Sequence, residues 1–267
     1  MTGPPRFSVI IPTYGRPAYL RDAVQSVLAQ TIDDFEVVIV DDASPEPADV
    51  DLDDSRIRYV RSPSNLGPGG ARNLGVSEAR GEILTFLDDD DLWLPRRLQI
   101  AEAAIDDAPI ILCWQYSTGG RLLNGCVHDE ILDATPPQLG AIALRKSAWV
   151  PMDSSYRRGQ DVIWWLDVAH QTPVLTVPEQ GLIIRDRPDK QSARELERRI
   201  DASHRILHER RDYFSSHPRA AAYRWQKIGV WEHRRGRHWC AHKAFLRSLM
   251  SRFDINVAKM AIRTIVR

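Results

Sequence analysis

Cysteine is scarce in this 267-residue sequence, and long apolar segments are missing. The three cysteines, Cys113, Cys126 and Cys240, are widely spaced and odd in number, so they suggest neither a disulfide framework nor a thiolate metal motif. A reducing cytoplasm is the expected compartment. No run approaches the roughly 20 apolar residues that span a bilayer, and no charged leader precedes an apolar stretch at the N-terminus. We expect a soluble protein, or at most a peripheral one.

Two glycine signatures of nucleotide binding are also missing. The sequence has no Gly-x-x-x-x-Gly-Lys-Ser/Thr loop, and no Gly-x-Gly-x-x-Gly follows its first predicted strand. ATPase and dinucleotide-binding functions are therefore disfavoured. Gly67-Pro68-Gly69-Gly70 fits neither spacing, so it is either a simple tight turn or a turn that presents Arg72.

The formal net charge of zero hides a strong asymmetry along the chain. Residues 1–191 hold 18 Lys and Arg against 29 Asp and Glu, whereas residues 192–267 hold 18 against 7. The first part is therefore acidic, at −11, and the last part basic, at +11. A segment that basic indicates an anionic partner surface, such as a phospholipid membrane, or docking against the acidic part of the same chain. A solvated basic bundle is the simpler alternative.

Strand-length apolar runs alternate with helical periodicity up to about residue 116. The predicted strands are 7–11, 35–40, 57–60, 81–87 and 109–114. This rhythm predicts an α/β fold, a mostly parallel sheet with helices on both faces. The remaining predicted strands are 140–144, 174–177 and 181–185, with a largely buried helix from about 162 to 170. Helices are then expected at about 190–215, 218–234, 238–250 and 254–265, which gives a first domain of 1–190 and a helical extension of 191–267.

Four consecutive carboxylates, Asp88 to Asp91, end the fourth predicted strand. Concentrating four negative charges at one strand end costs Coulomb energy, which a divalent cation would offset. Oxygen ligands suit Mg²⁺ or Mn²⁺, with a diphosphate supplying further ligands. In an extended segment Asp88 and Asp90 face the same side while Asp89 points elsewhere. The alternative is an acidic turn in which Asp91 caps the next helix.

Polar residues also follow the first two predicted strands. Ligands bind outside the carboxyl ends of parallel strands, where Pro12-Thr13-Tyr14 and Asp41-Asp42 are expected to converge with the acidic run. Tyr14 could stack on a base, and Arg16 could pair with phosphate. Asp42 could accept a hydrogen bond from a nucleobase, or it could form an Asx-turn with Ser44.

Asp161 begins the helix predicted after Gly159. It is either the N-cap of that helix or a general base directed into the cleft. Trp164 and Trp165 follow it and would make one wall of the acceptor side apolar.

Together these segments resemble the family 2 glycosyltransferases, inverting enzymes of the GT-A type that use nucleotide sugars. The resemblance covers roughly residues 7–190 and rests on an ordered set of motifs. The set is Ser8-Val9-Ile10-Ile11-Pro12-Thr13-Tyr14, Val40-Asp41-Asp42-Ala43-Ser44, Asn65-Leu66-Gly67 with Ala71-Arg72-Asn73, Gly81-Glu82 through Asp88-Asp89-Asp90-Asp91-Leu92-Trp93-Leu94-Pro95, and Gly159-Gln160-Asp161 with Trp165.

The resemblance implies a role for each matching residue. Pro12, Thr13, Tyr14, Arg16, Asp42, Arg72, Asp88 and Asp89 would bind the nucleotide sugar. Asp88-x-Asp90 resembles the family's DxD motif, with Asp90 the direct ligand of Mn²⁺ or Mg²⁺. Asp161 resembles the base that deprotonates the acceptor hydroxyl during a single displacement with inversion. A UDP-sugar is the favoured donor of this hexosyltransferase-type reaction, and the acceptor is a saccharide, a lipid-linked molecule or a small molecule; no nucleic-acid partner is implied.

Two departures from the family pattern matter. Gln160 stands where the family commonly has Glu, so the base loses a charged neighbour. Many members carry a histidine after the position of Arg185 that can join the metal site, whereas the run 186–192 contains none, although Asp186 could substitute. The rival interpretations are a sugar-phosphate nucleotidyltransferase and a non-catalytic nucleotide- or glycan-binding module of the same fold.

Overall fold

The structure is a computed structural model and describes residues 3–48, 53–114, 122–186 and 192–265. Contacts within the chain group it into two compact units. The first comprises Met1–His128 with Pro136–Arg185, and the second Asp129–Thr135 with Asp186–Arg267. The predicted domain boundary at 190/191 lies outside the described residues.

The first unit holds all the strands and four helices of the described chain. Its strands are β1 (Phe7–Thr13), β2 (Phe35–Asp41), β3 (Ile57–Arg61), β4 (Ile83–Phe86), β5 (Leu92–Trp93), β6 (Ile110–Trp114), β7 (Asn124–Gly125), β8 (Ile142–Arg145), β9 (Val174–Gln180) and β10 (Leu182–Ile183). Its helices are α1 (Pro17–Leu28), α2 (Gly67–Glu78), α3 (Arg97–Ala104) and α4 (Gln160–Ala169).

Eight strands form one sheet in the order β3-β2-β1-β4-β8-β6-β9-β7. β1 pairs in parallel with β2 and β4, β2 with β3, and β6 with β9. β8 runs antiparallel to both β4 and β6, and β7 runs antiparallel to β9. β5 and β10 form a separate antiparallel pair. The predicted α/β class with a mostly parallel sheet is confirmed.

Helices cover both faces of the sheet, and the alternation of side chains along β1 shows how. Val9 and Ile11 point to one face and join a core with Leu20 of α1 and Leu98 of α3. Ile10 points to the other face, where α2 packs. Gly75 lets α2 approach closely, because a Cβ atom there would lie 3.1 Å from Val40 Cγ2 and closer still to Ile10.

In the later part of the first unit, several strands begin or end at residues other than those predicted. The strand predicted at 140–144 is Ile142–Arg145, preceded by a short 3₁₀ turn, Leu139–Ala141. The strand predicted at 174–177 extends to Gln180, and the one predicted at 181–185 is only Leu182–Ile183. The two-residue strands β5 and β7 were not predicted, because two residues carry no periodicity.

The second unit contains only helices among its described residues. They are α5 (Ala193–Glu209), α6 (Arg211–Ser216), α7 (Pro218–Arg234), α8 (His238–Ser251) and α9 (Ile255–Arg263). The single helix predicted at 190–215 is thus two helices, because the chain breaks at Arg210. Asp254 caps α9 by accepting from the N–H groups of Asn256 and Val257, at 2.7 and 3.2 Å.

Two small apolar cores hold this unit together. One joins α5, α7 and α8 through Ile200, Ile228 and Ala244. The other joins α8 and α9 and contains Ala241, Phe245, Val257 and Ala261. Among the described residues, no helix is both long and apolar enough to cross a membrane.

Candidate functional site

The carboxyl ends of four neighbouring parallel strands bring the predicted site residues to one edge of the sheet. Thr13 at the end of β1 is in register with Asp41 at the end of β2, and Asp41 is in register with Arg61 of β3. The acidic run follows β4 directly. This edge is where open parallel sheets bind their ligands.

Three of the four consecutive aspartates lie close together. A carboxylate oxygen from each of Asp88, Asp90 and Asp91 lies within 4.8 Å of the others. Asp90 and Asp91 are buried, whereas the side chain of Asp88 is 46% exposed, so the cluster opens to solvent on one side. A set of oxygen ligands at this separation, open on one side, fits a divalent cation that also binds a diphosphate.

The alternative interpretation, an acidic cap for the next helix, is wrong. α3 begins at Arg97 with Arg96 as its N-cap, and no side chain caps it. Asp91 instead accepts a hydrogen bond from the backbone N–H of Arg185, at 3.1 Å. The carboxylates are therefore not used to stabilise a helix terminus.

Asp89 points away from this cluster and is fully buried. Its Oδ2 accepts from the Thr13 hydroxyl at 2.7 Å, and its Oδ1 lies 2.8 Å from the Arg16 guanidinium. Burial raises the pKa of Asp89 to about 6, although Arg16 and Thr13 both favour the charged form. Asp89 thus ties the acidic turn to the end of β1 and to the residue that precedes α1.

Arg72 reaches the acidic cluster from the first turns of α2. Its guanidinium forms an ion pair with Asp88 and donates to the Pro68 carbonyl at 3.4 Å. The side chain of Arg72 is only 6% exposed. The glycine-rich run is therefore more than a turn, because it forms the helix start from which Arg72 reaches Asp88.

Asp42 anchors the start of the same helix. Its two carboxylate oxygens accept from the backbone N–H groups of Leu66, at 2.6 Å, and Gly67, at 2.9 Å. Burial raises the pKa of Asp42, and these hydrogen bonds offset the rise only in part. The alternative of an Asx-turn between Asp42 and Ser44 is wrong, because the Ser44 N–H donates to Asp41, at 2.8 Å.

Asp41 organises the loop after β2, a role that its sequence context did not reveal. It accepts from the Tyr59 hydroxyl, from Arg61 at 2.7 Å and from the N–H of Ser44. Burial alone would raise the pKa of Asp41, but the hydrogen bonds from Ser44, Tyr59 and Ala48 outweigh it and lower the pKa. The neighbouring Ala43 adopts φ +59°, which this network holds in place.

Two further predicted nucleotide-binding residues differ in exposure. Tyr14 follows β1 and is 48% exposed, so its ring is available for stacking. Pro12 is buried within β1, in register with Val40. Any contribution of Pro12 to nucleotide binding is therefore through the path of the backbone.

Asp161 lies in the first turn of α4, and the N-cap of that helix is Gly159 at φ +75°. The alternative interpretation of Asp161 as an N-cap is therefore wrong. Gln160 packs beside the start of α2, since its Cγ lies 3.5 Å from the position of a Cβ on Gly69. The first turns of α2 and α4 thus lie side by side, with Arg72 on one and Asp161 on the other.

An aromatic series connects α4 to the acidic strand. Phe86, the last residue of β4, packs on Trp149 at 5.1 Å between ring centroids, and Trp149 packs on Trp164 at 5.5 Å. Because Phe86 lies two residues before Asp88 and Trp164 lies one helical turn after Asp161, this packing constrains the distance between the two carboxylates.

The expectation of a largely buried helix is confirmed, but the prediction that Trp164 and Trp165 line the acceptor side is wrong. Trp164 is 1% and Trp165 0% exposed. Their indole N–H groups donate to the carbonyls of Val150 and Pro137, both at 2.8 Å. Both rings belong to the interior and hold α4 in place.

Arg185 contacts the acidic turn, although no motif in the sequence assigned it to the site. Its Nε donates to the Asp90 carbonyl at 2.7 Å, and its Nη1 pairs with Asp22 of α1 at 2.7 Å. Its guanidinium lies over the Tyr19 ring at 4.9 Å. The only sequence signal was the position of Arg185 just before the run where the family histidine is missing. Asp186 belongs to the second unit, and residues 187–191 lie outside the described residues.

Comparison with known proteins identifies the family. Residues 8–140 match the model described as "Glycosyl transferase family 2". An uncharacterized glycosyltransferase of Rickettsia felis is 30% identical over 189 residues, which cover 63% of this chain and 31% of the relative. The chain therefore spans about a third of the length of these curated relatives that it matches.

Solved structures share the fold. S. aureus TarS 1-349 in complex with UDP-GlcNAc has a TM-score of 0.58 at 17% identity, covering 92% of this chain and 89% of that one. The mannosyltransferase PcManGT from Pyrobaculum calidifontis, in complex with GDP-Man and Mn²⁺, has a TM-score of 0.61 at 16% identity, covering 99% and 81%. The chain belongs to glycosyltransferase family 2 and has a fold of the GT-A type.

Proposed function

We propose that this protein is an inverting glycosyltransferase that moves a sugar from a nucleoside diphosphate donor, a UDP-sugar by preference, to an acceptor hydroxyl. The observation that carries the proposal is the convergence at one sheet edge of an open carboxylate cluster, the buried guanidinium of Arg72 and the helix that bears Asp161. Each group matches one requirement of the reaction: a diphosphate site, a cationic contact and a base.

The donor diphosphate is assigned to the acidic turn. Asp90, with Asp88 beside it, would hold Mn²⁺ or Mg²⁺, which when bound would neutralise the diphosphate and stabilise it as a leaving group. Arg72 would contact the same diphosphate, because its guanidinium already lies against Asp88. Asp89 is fully buried and held by Thr13 and Arg16, so it would support the donor site by keeping the turn in shape rather than by touching the ribose or the sugar.

The nucleoside is assigned to the residues that follow β1 and β2. Tyr14 is exposed enough to stack on the base. Asp42 already accepts two backbone hydrogen bonds, but each carboxylate oxygen has a second lone pair that can accept from a base N–H. The UDP-GlcNAc bound by TarS supports uracil, whereas the GDP-Man bound by PcManGT shows that the fold also accepts guanine.

Asp161 is assigned as the base. It would take the proton of the acceptor hydroxyl while the acceptor oxygen forms a bond to C1 of the sugar and the bond from C1 to the diphosphate oxygen breaks. A single displacement of this kind inverts the anomeric carbon. Gln160 beside it is neutral, so Asp161 would act without the neighbouring negative charge that is common in the family.

The acceptor is proposed to be a saccharide, a lipid-linked saccharide or a small molecule, met in the cytoplasm at or near an anionic membrane surface. The basic second unit supports the membrane location.

The rival functions have less support. A sugar-phosphate nucleotidyltransferase would need a glycine-rich loop with Arg and Lys after β1, and Pro12-Thr13-Tyr14-Gly15-Arg16 does not supply one. A non-catalytic module would tolerate a damaged acidic turn or a missing base, and this chain has both Asp90 and Asp161.

The test compares sugar transfer by the wild type and by Asp161→Asn. Transfer is followed as release of nucleoside diphosphate from a panel of UDP- and GDP-sugars, with saccharide and lipid-linked saccharide acceptors. We expect wild-type turnover with product of inverted configuration by NMR, and loss of turnover in Asp161→Asn with diphosphate affinity kept within a few-fold. Asp167→Asn, on the same helix, is the matched control and should stay active. Retained activity of Asp161→Asn, or retention of configuration, would overturn the proposed mechanism.

A further inference from the structure

The outward face of α8 exposes large apolar side chains in a regular stripe. Trp239, Leu246 and Met250 are 66%, 43% and 79% exposed, and Lys243 lies between them in the series i, i+4, i+7, i+11. This spacing places all four side chains on one side of the helix. Apolar side chains exposed singly are ordinary, but an aligned set marks an interaction surface.

The turn after α8 and the helix α9 continue the pattern. Phe253 in the turn is 72% exposed. Ile255 and Ile262 of α9 are 58% and 61% exposed, again with a lysine, Lys259, between them at helical spacing. The opposite sides of α8 and α9 already pack on one another through Ala241, Phe245, Val257 and Ala261. We call the exposed set Trp239, Leu246, Met250, Phe253, Ile255 and Ile262 the α8–α9 apolar face.

The segment that bears this face is rich in positive charge. Residues 237–265 contain six Lys and Arg and one acidic residue, Asp254, whose carboxylate caps α9. The Lys243 ammonium lies over the Trp239 ring, 5.3 Å from its centre, so this positive charge is in contact with the apolar stripe itself.

We propose that the α8–α9 apolar face docks on an anionic phospholipid membrane, with the apolar side chains entering the headgroup region and the basic side chains contacting lipid phosphates. α8 has 14 residues and α9 nine, each shorter than the roughly 20 needed to span a bilayer. The contact therefore lies in the plane of the interface, where Trp, Phe and Leu beside Lys and Arg are favoured. A second copy of the chain fits less well, because two such faces would bring like charges together.

Part of the positive charge of the second unit is already paired or held within that unit. Arg235 pairs with Glu197 at 2.9 Å, and both Arg235 and Arg237 lie near the buried Glu232. Arg247 lies over the ring of Trp225, 4.6 Å from its centre. The basic composition of the second unit alone therefore does not identify the docking surface, and the exposed apolar side chains do. The inference deepens the proposed function by naming the surface that would contact the membrane. It rests on the proposed function only for the reason why the protein would dock there.

The experiment is co-sedimentation of the full chain with vesicles of phosphatidylcholine alone and with vesicles that also contain phosphatidylglycerol. We expect binding to the anionic vesicles, weakened by salt, and a blue shift of tryptophan emission that Trp239→Phe removes. Met250→Ser/Phe253→Ser should weaken binding about tenfold or more, because it removes the two most exposed apolar side chains of the face. Lys243→Gln/Lys259→Gln should weaken binding to anionic vesicles only. Leu122→Ser, an exposed apolar residue of the first unit, is the matched control and should bind as wild type does.

Three outcomes overturn the inference. They are failure of the wild type to bind anionic vesicles, equal binding by Met250→Ser/Phe253→Ser, and a dimer in solution that this double variant dissociates, which would assign the face to a second copy. Diphosphate binding is measured on the same variants without vesicles. If the wild type binds diphosphate but does not bind vesicles, the membrane inference is wrong and the proposed function stands. If the wild type binds vesicles but not diphosphate, the docking surface stands and the proposed donor site is wrong.

Discussion

The Arg72 guanidinium is paired with the carboxylate of Asp88 at the open side of the acidic turn. Arg72 is buried, whereas Asp88 is nearly half exposed. A buried cation is thereby held beside the carboxylates, and it partly offsets their mutual repulsion. The same guanidinium lies where it can contact a diphosphate bound at the turn. The ion pair thus links the stability of the turn to its capacity to bind an anionic donor.

Arg72→Gln should weaken nucleoside diphosphate binding about tenfold or more, because a charge-assisted contact to phosphate is lost. Isothermal titration calorimetry with Mn²⁺ present measures the effect. Arg58→Gln is the matched control, because Arg58 is also ion-paired but contacts Glu36 and Glu78 away from the acidic turn. An unchanged affinity in Arg72→Gln would remove Arg72 from the donor site.

Asp89 gives a pH dependence whose sign can be worked out. Burial raises its pKa from 3.8 to about 6, so the folded protein binds this proton more tightly than the unfolded chain does. The contribution of Asp89 to stability is therefore largest below about pH 4, falls as the pH rises to about 6, and is constant above that.

Asp89→Asn keeps the side chain neutral, so the variant should gain stability relative to wild type between about pH 4 and 6, by up to about 3 kcal/mol. The loss of the Arg16 ion pair will reduce this gain. Urea unfolding of both proteins in chelator, at several pH values, measures the difference. Asp41→Asn should change the pH dependence of stability in the opposite direction, because the pKa of Asp41 is lowered in the folded protein. If the stability difference between Asp89→Asn and wild type does not change with pH, the pKa of Asp89 is not raised in the folded protein.

Arg185→Gln should loosen the acidic turn, because Arg185 connects the Asp90 carbonyl to Asp22 and Tyr19 of α1. We expect a loss of about 1–3 kcal/mol in the free energy of unfolding and weaker Mn²⁺ binding. Denaturant unfolding and paramagnetic titration of Mn²⁺ measure the two effects. Asp22→Asn removes only a half-exposed partner and should cost less than about 1 kcal/mol. Equal effects of the two variants would show that the contact to Asp90 does not matter.

Gly75→Ala should destabilise the first unit by about 1–3 kcal/mol, because the added methyl group would meet Ile10 and Val40 where α2 packs on the sheet. Thermal unfolding measures the change. Ser77→Ala, at an exposed position of the same helix, is the control and should alter stability little. If Gly75→Ala is as stable as wild type, α2 can move away from the sheet, and the position of Arg72 is less constrained than the structure shows.

The sequence predicted the elements of the first half well, since apolar strands and amphipathic helices leave clear periodic patterns. Strands β1 to β4 and the acidic turn lie where those patterns placed them. The antiparallel orientation of β8 between β4 and β6 was not predicted, because the alternation of side chains along a strand does not indicate the direction in which it runs.

The site was predicted where a short motif holds its residues and missed where distant segments meet. Arg185 is 95 residues from Asp90 in the sequence, and no local pattern connects them. The sequence predicted a largely buried α4, but it also placed Trp164 and Trp165 on the acceptor side, where they do not lie. A helix that is apolar on several sides does not show in its sequence what each ring packs against.

The acidic turn is proposed to bind a nucleoside diphosphate through a divalent cation. Thermal shift with UDP, GDP, CDP and dTDP, each with Mn²⁺ or with chelator, measures this binding in wild type and in Asp90→Asn. We expect that one diphosphate, UDP by preference, raises the melting temperature only with Mn²⁺, and that Asp90→Asn removes the response. Equal stabilisation in chelator, or a full response in Asp90→Asn, would show that the turn does not bind the donor through a cation held by Asp90.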